Sequence, residues 1–204
     1  MPVLLAALVA SGCPGCAPRA TRFYIEDHRD DGPARRYYER FDECYYCRDS
    51  QGNTDIVARR RSIRGASADE ALTQVLHVHQ VYAAVPGRTQ VEESMINATV
   101  SYLIVGPESG ASFEGGGFVT FTENRKGTEI TGKLESSALR PQRRLGGHRL
   151  ETGATHDIFE RASVTGRFRA RRDKRSVVRI LNEMKRLFGP LPRYEPPPVS
   201  PDLR

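Results

Sequence analysis

The sequence predicts a mainly β protein of the α+β class, built as an antiparallel β-sandwich or curved sheet with one C-terminal amphipathic helix. Several short segments alternate apolar and polar residues with the period of two that is typical of strands, and clusters of Gly, Pro, Asn and Asp separate them. Near the C-terminus the apolar period becomes that of a helix. No alternation of strands with helices supports a doubly wound parallel sheet.

Four strands follow from this alternation. They are predicted at about 96–104, 117–122, 129–138 and 161–171. The turn-forming residues 124–127 lie between the second and third of these segments, which indicates a β-hairpin.

Residues 67–85 permit two interpretations. Ser67 and Glu70 have the spacing of a capping box, which is typical of the start of a helix. The residues that follow are rich in β-branched and aromatic side chains, which favours a strand. We favour a short helical turn followed by a strand over about 74–83, and a helix over 68–83 is the alternative.

One helix is predicted over residues 174–188. Its apolar residues share one face: Val177, Ile180, Leu181, Met184 and Leu187. Asp173 or Ser176 can cap its first turn, and Gly189 and Pro190 end it. The apolar face is expected to pack on the sheet.

The N-terminus carries an export pattern. Residues 3–10 are apolar and uncharged, too few to span a bilayer, and Ala10-Ser11-Gly12-Cys13 follows them. This short segment resembles the lipobox of bacterial lipoproteins, whose cysteine is lipidated. The resemblance covers only the first 13 residues. It implies a signal peptide at 1–12, a lipidated tether at 13–22 and a location in the cell envelope, outside the cytoplasm. The alternative is a short buried strand or helix.

The remaining chain divides into three parts. Residues 23–66 are dense in Arg, Asp, Glu and Tyr with weak periodicity, which indicates an irregular N-terminal arm. Residues 67–189 form the predicted β-rich domain with its helix. Residues 190–204 are Pro-rich, so we expect a disordered, solvated tail, with a Pro-x-x-P peptide ligand as the alternative.

Cys44 and Cys47 form a C-x-x-C pair with several interpretations. A local disulfide is favoured, because export places the domain where disulfides persist. A zinc site completed by His77 and His79, a redox-active pair and two free thiols are the alternatives.

His77 and His79 are the candidate metal ligands of the sequence. Residues two apart on a strand project to the same face, so both imidazoles can meet one ion, whereas a helix would separate them. We favour a pair of histidines on the solvent face of a strand, and the metal site is the alternative.

A basic surface is the remaining feature, since the formal net charge is +6 and most of the basic residues are arginine. The candidate interaction residues are Arg167, Arg169 and Arg171 on one strand face and Arg140, Arg143 and Arg144 before them. Biased arginine usage in the source genome is the favoured explanation of this composition, and a dedicated phosphate-binding role is the alternative. For a tethered domain, the matching partners are anionic lipid headgroups, envelope polysaccharide or an acidic protein.

These observations predict a lipid-anchored envelope protein that acts as a non-enzymatic interaction or assembly module. No nucleophile elbow, phosphate loop or nucleic-acid-binding motif occurs, so we expect no catalytic residues, no cofactor and no nucleic acid partner. The alternatives are a metal-binding protein or metalloenzyme that uses His77 and His79, and a basic nucleic-acid-binding protein.

Overall fold

The computed structural model describes residues 21–28, 33–61, 73–81, 96–106, 110–145 and 161–190. These residues form nine strands and one helix in the order β1 (Thr21–Asp27), β2 (Arg35–Phe41), β3 (Glu43–Arg48), β4 (Thr54–Arg61), β5 (Thr73–Gln80), β6 (Ala98–Val105), β7 (Gly110–Glu123), β8 (Glu129–Leu145), β9 (Ala162–Arg172) and α1 (Lys174–Phe188). The predicted mainly β fold with a single C-terminal helix is confirmed.

The strands belong to one sheet that closes on itself. Its order is β2-β1-β9-β3-β4-β5-β6-β7-β8, and β8 pairs with β9 as well as with β7. Every pairing is antiparallel except the short parallel pair of β3 with β9. The other edge of β9 is shared by two strands: residues 162–167 pair with β1, and Arg171 and Arg172 pair with β3. Between these two pairings, the Thr21 hydroxyl donates to the Arg169 carbonyl and accepts from the Arg169 amide.

Closure gives the sheet a filled inner face. The inner cluster is made of alternate residues from all nine strands, with Ile56, Leu76 and Val78 contributed by β4 and β5. Gly132 and Gly166 lie where strands approach most closely: a Cβ at Gly132 would come within 2.2 Å of the Thr120 carbonyl oxygen. The inner space is therefore packed with side chains.

Helix α1 covers part of the outer face of the sheet. Its buried residues are Val177, Ile180, Met184 and Phe188. They pack on the outward side chains of β3 to β6: Cys47, Val57, Val75 and Leu103. Asp173 caps the helix, since its carboxylate accepts from the Ser176 amide at 3.0 Å, and Gly189 ends it with a φ of 76°. The predicted bounds of the helix are confirmed.

The irregular arm predicted for residues 23–66 is wrong, because this segment supplies β2, β3, β4 and most of β1. In β1, buried Phe23 and Ile25 alternate with exposed Arg22 and Tyr24, which is an ordinary strand pattern. In β2 the pattern is hidden, because Glu39 takes a buried position and pairs there with Arg60. Because a carboxylate occupies the inner face of β2, the sequence of this strand has polar residues on both faces and lacks a clear alternation.

Three other strand predictions differ from the structure in their bounds. The strand predicted over 74–83 is β5, so the helical alternative for this segment is wrong. The strand predicted at 117–122 begins earlier, and the strand predicted at 129–138 continues to Leu145 through irregular pairing near Ser136 and Leu139. Two register shifts in the β7–β8 pairing allow these long strands to curve.

The predicted signal peptide at 1–12 and the tether residues 13–20 lie outside the described residues, as do residues 191–204 of the Pro-rich tail. In the part of the chain that the structure describes, no helix has the length and apolar character needed to span a membrane.

Candidate metal centre

Three metal-ligating side chains meet on the outer face of β4 and β5. Asp55 lies directly opposite His79 in the antiparallel pairing of these strands, and His77 lies opposite Val57. The intervening residues, Ile56 and Val78, belong to the inner cluster. Because side chains alternate between the faces of a strand, Asp55, His77 and His79 all project outward.

The three side chains converge on one oxygen atom. The Oδ1 atom of Asp55 lies 2.8 Å from Nε2 of His77 and 2.9 Å from Nδ1 of His79. An ionised carboxylate can only accept hydrogen bonds, so each of these ring nitrogens is the donor to the same carboxylate oxygen. One ligand atom from each residue lies within 4.8 Å of the other two. The cluster therefore presents two nitrogen ligands and one oxygen ligand to a common point.

The cluster is shielded from water. His77 and His79 are each 5% exposed, and the side chain of Asp55 is 18% exposed. Burial acts to raise the pKa of Asp55, but the hydrogen bonds and the electrostatic attraction of the two histidines outweigh it and hold that pKa well below its ordinary value. Asp55 is therefore an anion at neutral pH, which is the form that binds a cation.

Two histidines and one carboxylate suit a first-row transition ion such as Zn²⁺. A four-coordinate ion with bonds of about 2.0 Å separates neighbouring ligand atoms by about 3.3 Å. To bind an ion, each nitrogen must move a few tenths of an ångström away from Oδ1 and release the proton it donates there. The two nitrogens, which lie within 4.8 Å of each other, must also take up the spacing of neighbouring ligands. A three-residue ligand set also leaves one coordination position open.

More polar side chains surround the cluster on the same outer face. Cys47 lies directly opposite Asp55 across β3 and β4, and Ser101 lies opposite His77 across β5 and β6. The Ser101 hydroxyl is buried and has no hydrogen-bond partner among the described residues. Glu114 lies opposite Ser101 on β7, and burial raises its pKa although Arg143 acts in the other direction.

Cys44 and Cys47 do not form the predicted disulfide in this structure, in which both are free thiols. Residues three apart on a strand project to opposite faces. Cys44 accordingly packs against the inner cluster, and Cys47 belongs to the outer cluster under α1. The two sulfur atoms are thus separated by the sheet itself.

Five of the six predicted basic residues have described side chains, and all five are exposed on β8 and β9. Arg167, Arg169 and Arg171 share the exposed face of β9 as predicted. Arg169 is paired with Glu129 at 2.7 Å, and the guanidinium of Arg171 lies over the ring of Tyr45.

The second predicted basic group lies on β8. Arg140 and Arg143 are exposed, and Arg143 donates to the carbonyl oxygen of Phe188 at the end of α1. The side chain of Arg144 lies outside the described residues.

The favoured prediction that His77 and His79 lie on a solvent face is wrong, because both are buried. The alternative prediction named these two histidines as ligands but missed Asp55. The strand pattern around Asp55 is short, since only Ile56, Val57 and Ala58 follow it before a run of arginines. The pairing of β4 with β5 places Asp55 beside the histidines. The sequence pattern does not show which strands are neighbours, so it could not indicate this contact.

No family model, curated protein or solved structure matches this chain.

We predict that both strand cysteines resist alkylation in the folded protein. Burial raises the pKa of Cys44 to about 12, which a hydrogen bond with Thr21 offsets only in part. Burial and the charge of Asp55 raise the pKa of Cys47 to about 11. At pH 8, which is below both values, the reactive thiolate of Cys44 is about one part in ten thousand.

The measurement is iodoacetamide labelling followed by peptide mapping, which separates these cysteines from Cys13 and Cys16. We expect slow labelling in buffer and full labelling in guanidinium. Rapid native labelling, or a Cys44–Cys47 disulfide in a non-reducing digest, would contradict this account.

Proposed function

We propose that this protein binds a divalent transition metal ion, with Zn²⁺ as the best match, through Asp55, His77 and His79. The observation that carries the proposal is the convergence of three ligand atoms within 4.8 Å of one another on neighbouring strands. The ligands sit on a closed sheet, a rigid scaffold for a metal site.

The chemistry of the ligands supports this choice of metal. Imidazole nitrogen binds Zn²⁺, Cu²⁺, Fe²⁺ and Ni²⁺ well, whereas Ca²⁺ and Mg²⁺ prefer shells made of oxygen. Three protein ligands with an open fourth position are typical of zinc sites that bind water or a further molecule. The competing explanation is a metal-free cluster in which the two histidines serve only as hydrogen-bond partners of the buried Asp55 carboxylate.

We predict that the full-length protein binds one equivalent of Zn²⁺ and that His79→Gln weakens binding by about 100-fold or more. Zn²⁺ at 100 times its dissociation constant adds about 2.7 kcal/mol to the free energy of unfolding, or roughly 5–10 °C in Tm. The measurements are metal analysis after dialysis, calorimetric titration and thermal unfolding with and without Zn²⁺.

His28→Gln is the matched control, because His28 contacts Ser163 at 3.1 Å and lies outside the cluster. We expect this variant to bind Zn²⁺ as the unmodified protein does. Binding that is equally weakened in both variants, or a folded protein whose Tm ignores Zn²⁺, Ni²⁺, Cu²⁺ and Fe²⁺, would eliminate the metal site.

We also propose that the protein is lipid-anchored in the bacterial cell envelope through Cys13 and acts there as an interaction or assembly module. The support is the sequence pattern of residues 3–13, an apolar run followed by small residues and cysteine. Acyl chains add about 0.8 kcal/mol per buried methylene, so two or more chains hold a domain firmly.

Cys13→Ser is expected to abolish fatty-acid labelling and to move the protein from the membrane fraction to the soluble fraction. Cys16→Ser is the matched control and should leave both properties intact. The readouts are radioactive palmitate incorporation in a bacterial host and detergent phase partition. Palmitate labelling that survives Cys13→Ser argues against this anchor.

A further inference from the structure

Four basic residues form a straight row across four neighbouring strands. The pairing of β2, β1, β9 and β8 places Arg40 opposite Arg22, Arg22 opposite Arg167, and Arg167 opposite Lys133. Each side chain occupies an outward position and is exposed. We call these four residues the basic row. Neighbouring strands lie about 4.8 Å apart, so the row spans roughly 15 Å.

The basic row is not neutralised within the described part of the chain. No ion pair joins any of its members to a described carboxylate, although nearby Arg169 and Arg36 are paired with Glu129 and Glu26. Like charges placed directly opposite each other destabilise a sheet. An anionic partner along the row would remove this repulsion.

A pair of half-exposed tyrosines flanks the row. Tyr24 and Tyr38 are 43% and 48% exposed, directly opposite each other, with ring centroids 5.2 Å apart. The guanidinium of Arg36 lies 5.9 Å from the centre of the Tyr24 ring. The rings thus pack against one another and against Arg36, which does not favour the open platforms that stack nucleic acid bases. Tyrosine beside basic residues suits the headgroup region of a bilayer.

We propose that this outer face of β2, β1, β9 and β8 docks on an anionic phospholipid surface, with the basic row contacting headgroup phosphates. The row places four positive charges side by side on one continuous outer face. The inference depends on neither the metal site nor the acyl anchor.

The test uses the full chain carrying Cys13→Ser, so that no acyl chain contributes to binding. Flotation with phosphatidylcholine vesicles containing roughly one-third phosphatidylglycerol should recover the protein, and vesicles of phosphatidylcholine alone should not. Arg22→Gln together with Arg167→Gln should weaken binding to the anionic vesicles by about five-fold for each arginine.

The matched control is Arg175→Gln with Arg179→Gln, which removes the same charge from exposed positions on α1. This variant should bind anionic vesicles like its parent. An equal loss in both variants would show that net charge alone acts and would overturn the proposal. Equal binding to both vesicle types, or binding to oligo(dT) without binding to anionic vesicles, would also overturn it.

Discussion

Closure of the sheet by the pairing of β8 with β9 is the constraint on which the rest of the structure depends. Once the sheet closes, its inner face becomes a core packed with side chains, and each strand must alternate between that core and the outside. The residues that alternate with the inward-facing side chains of β4 and β5 must then face outward. Asp55, His77 and His79 are neighbours because Ile56, Leu76 and Val78 are committed to the inside.

The outer face is in turn divided between two environments. Helix α1 covers one part of it through an apolar cluster that includes Val57 and Val75. The histidine cluster lies beside that apolar patch and is itself largely removed from water. Buried polar groups are costly unless they are hydrogen-bonded, and the two histidines and Asp55 satisfy one another. The same mutual arrangement keeps the three ligand atoms within 4.8 Å of one another, which is the starting geometry for binding an ion.

Sequence patterns predicted those features that depend on local periodicity. The helix over 174–188 could be predicted because its apolar stripe and its capping residue belong to the segment itself or adjoin it. The shared face of His77 and His79 follows from strand geometry alone. Asp55 was not predicted, because its role depends on which strand lies beside β5, and that pairing is non-local.

The remaining errors have the same origin. The prediction of an irregular arm at 23–66 is wrong because Glu39 occupies an inner position, where Arg60 neutralises its charge. This pairing joins two strands, and nothing in the local sequence indicates it. The favoured disulfide of Cys44 and Cys47 rested on spacing, which cannot show that a strand turns the two side chains to opposite faces. The basic row is likewise invisible before strand order and register are known, because its members come from four separate strands.

The central claim is that one ion is held by atoms from two adjacent strands of a closed sheet. The most direct measurement is anomalous diffraction at the zinc absorption edge from crystals of the full chain grown with Zn²⁺. The account predicts one strong peak bonded to Nε2 of His77, Nδ1 of His79 and a carboxylate oxygen of Asp55. No peak at this position, with Asp55 still hydrogen-bonded to both imidazoles, would contradict it.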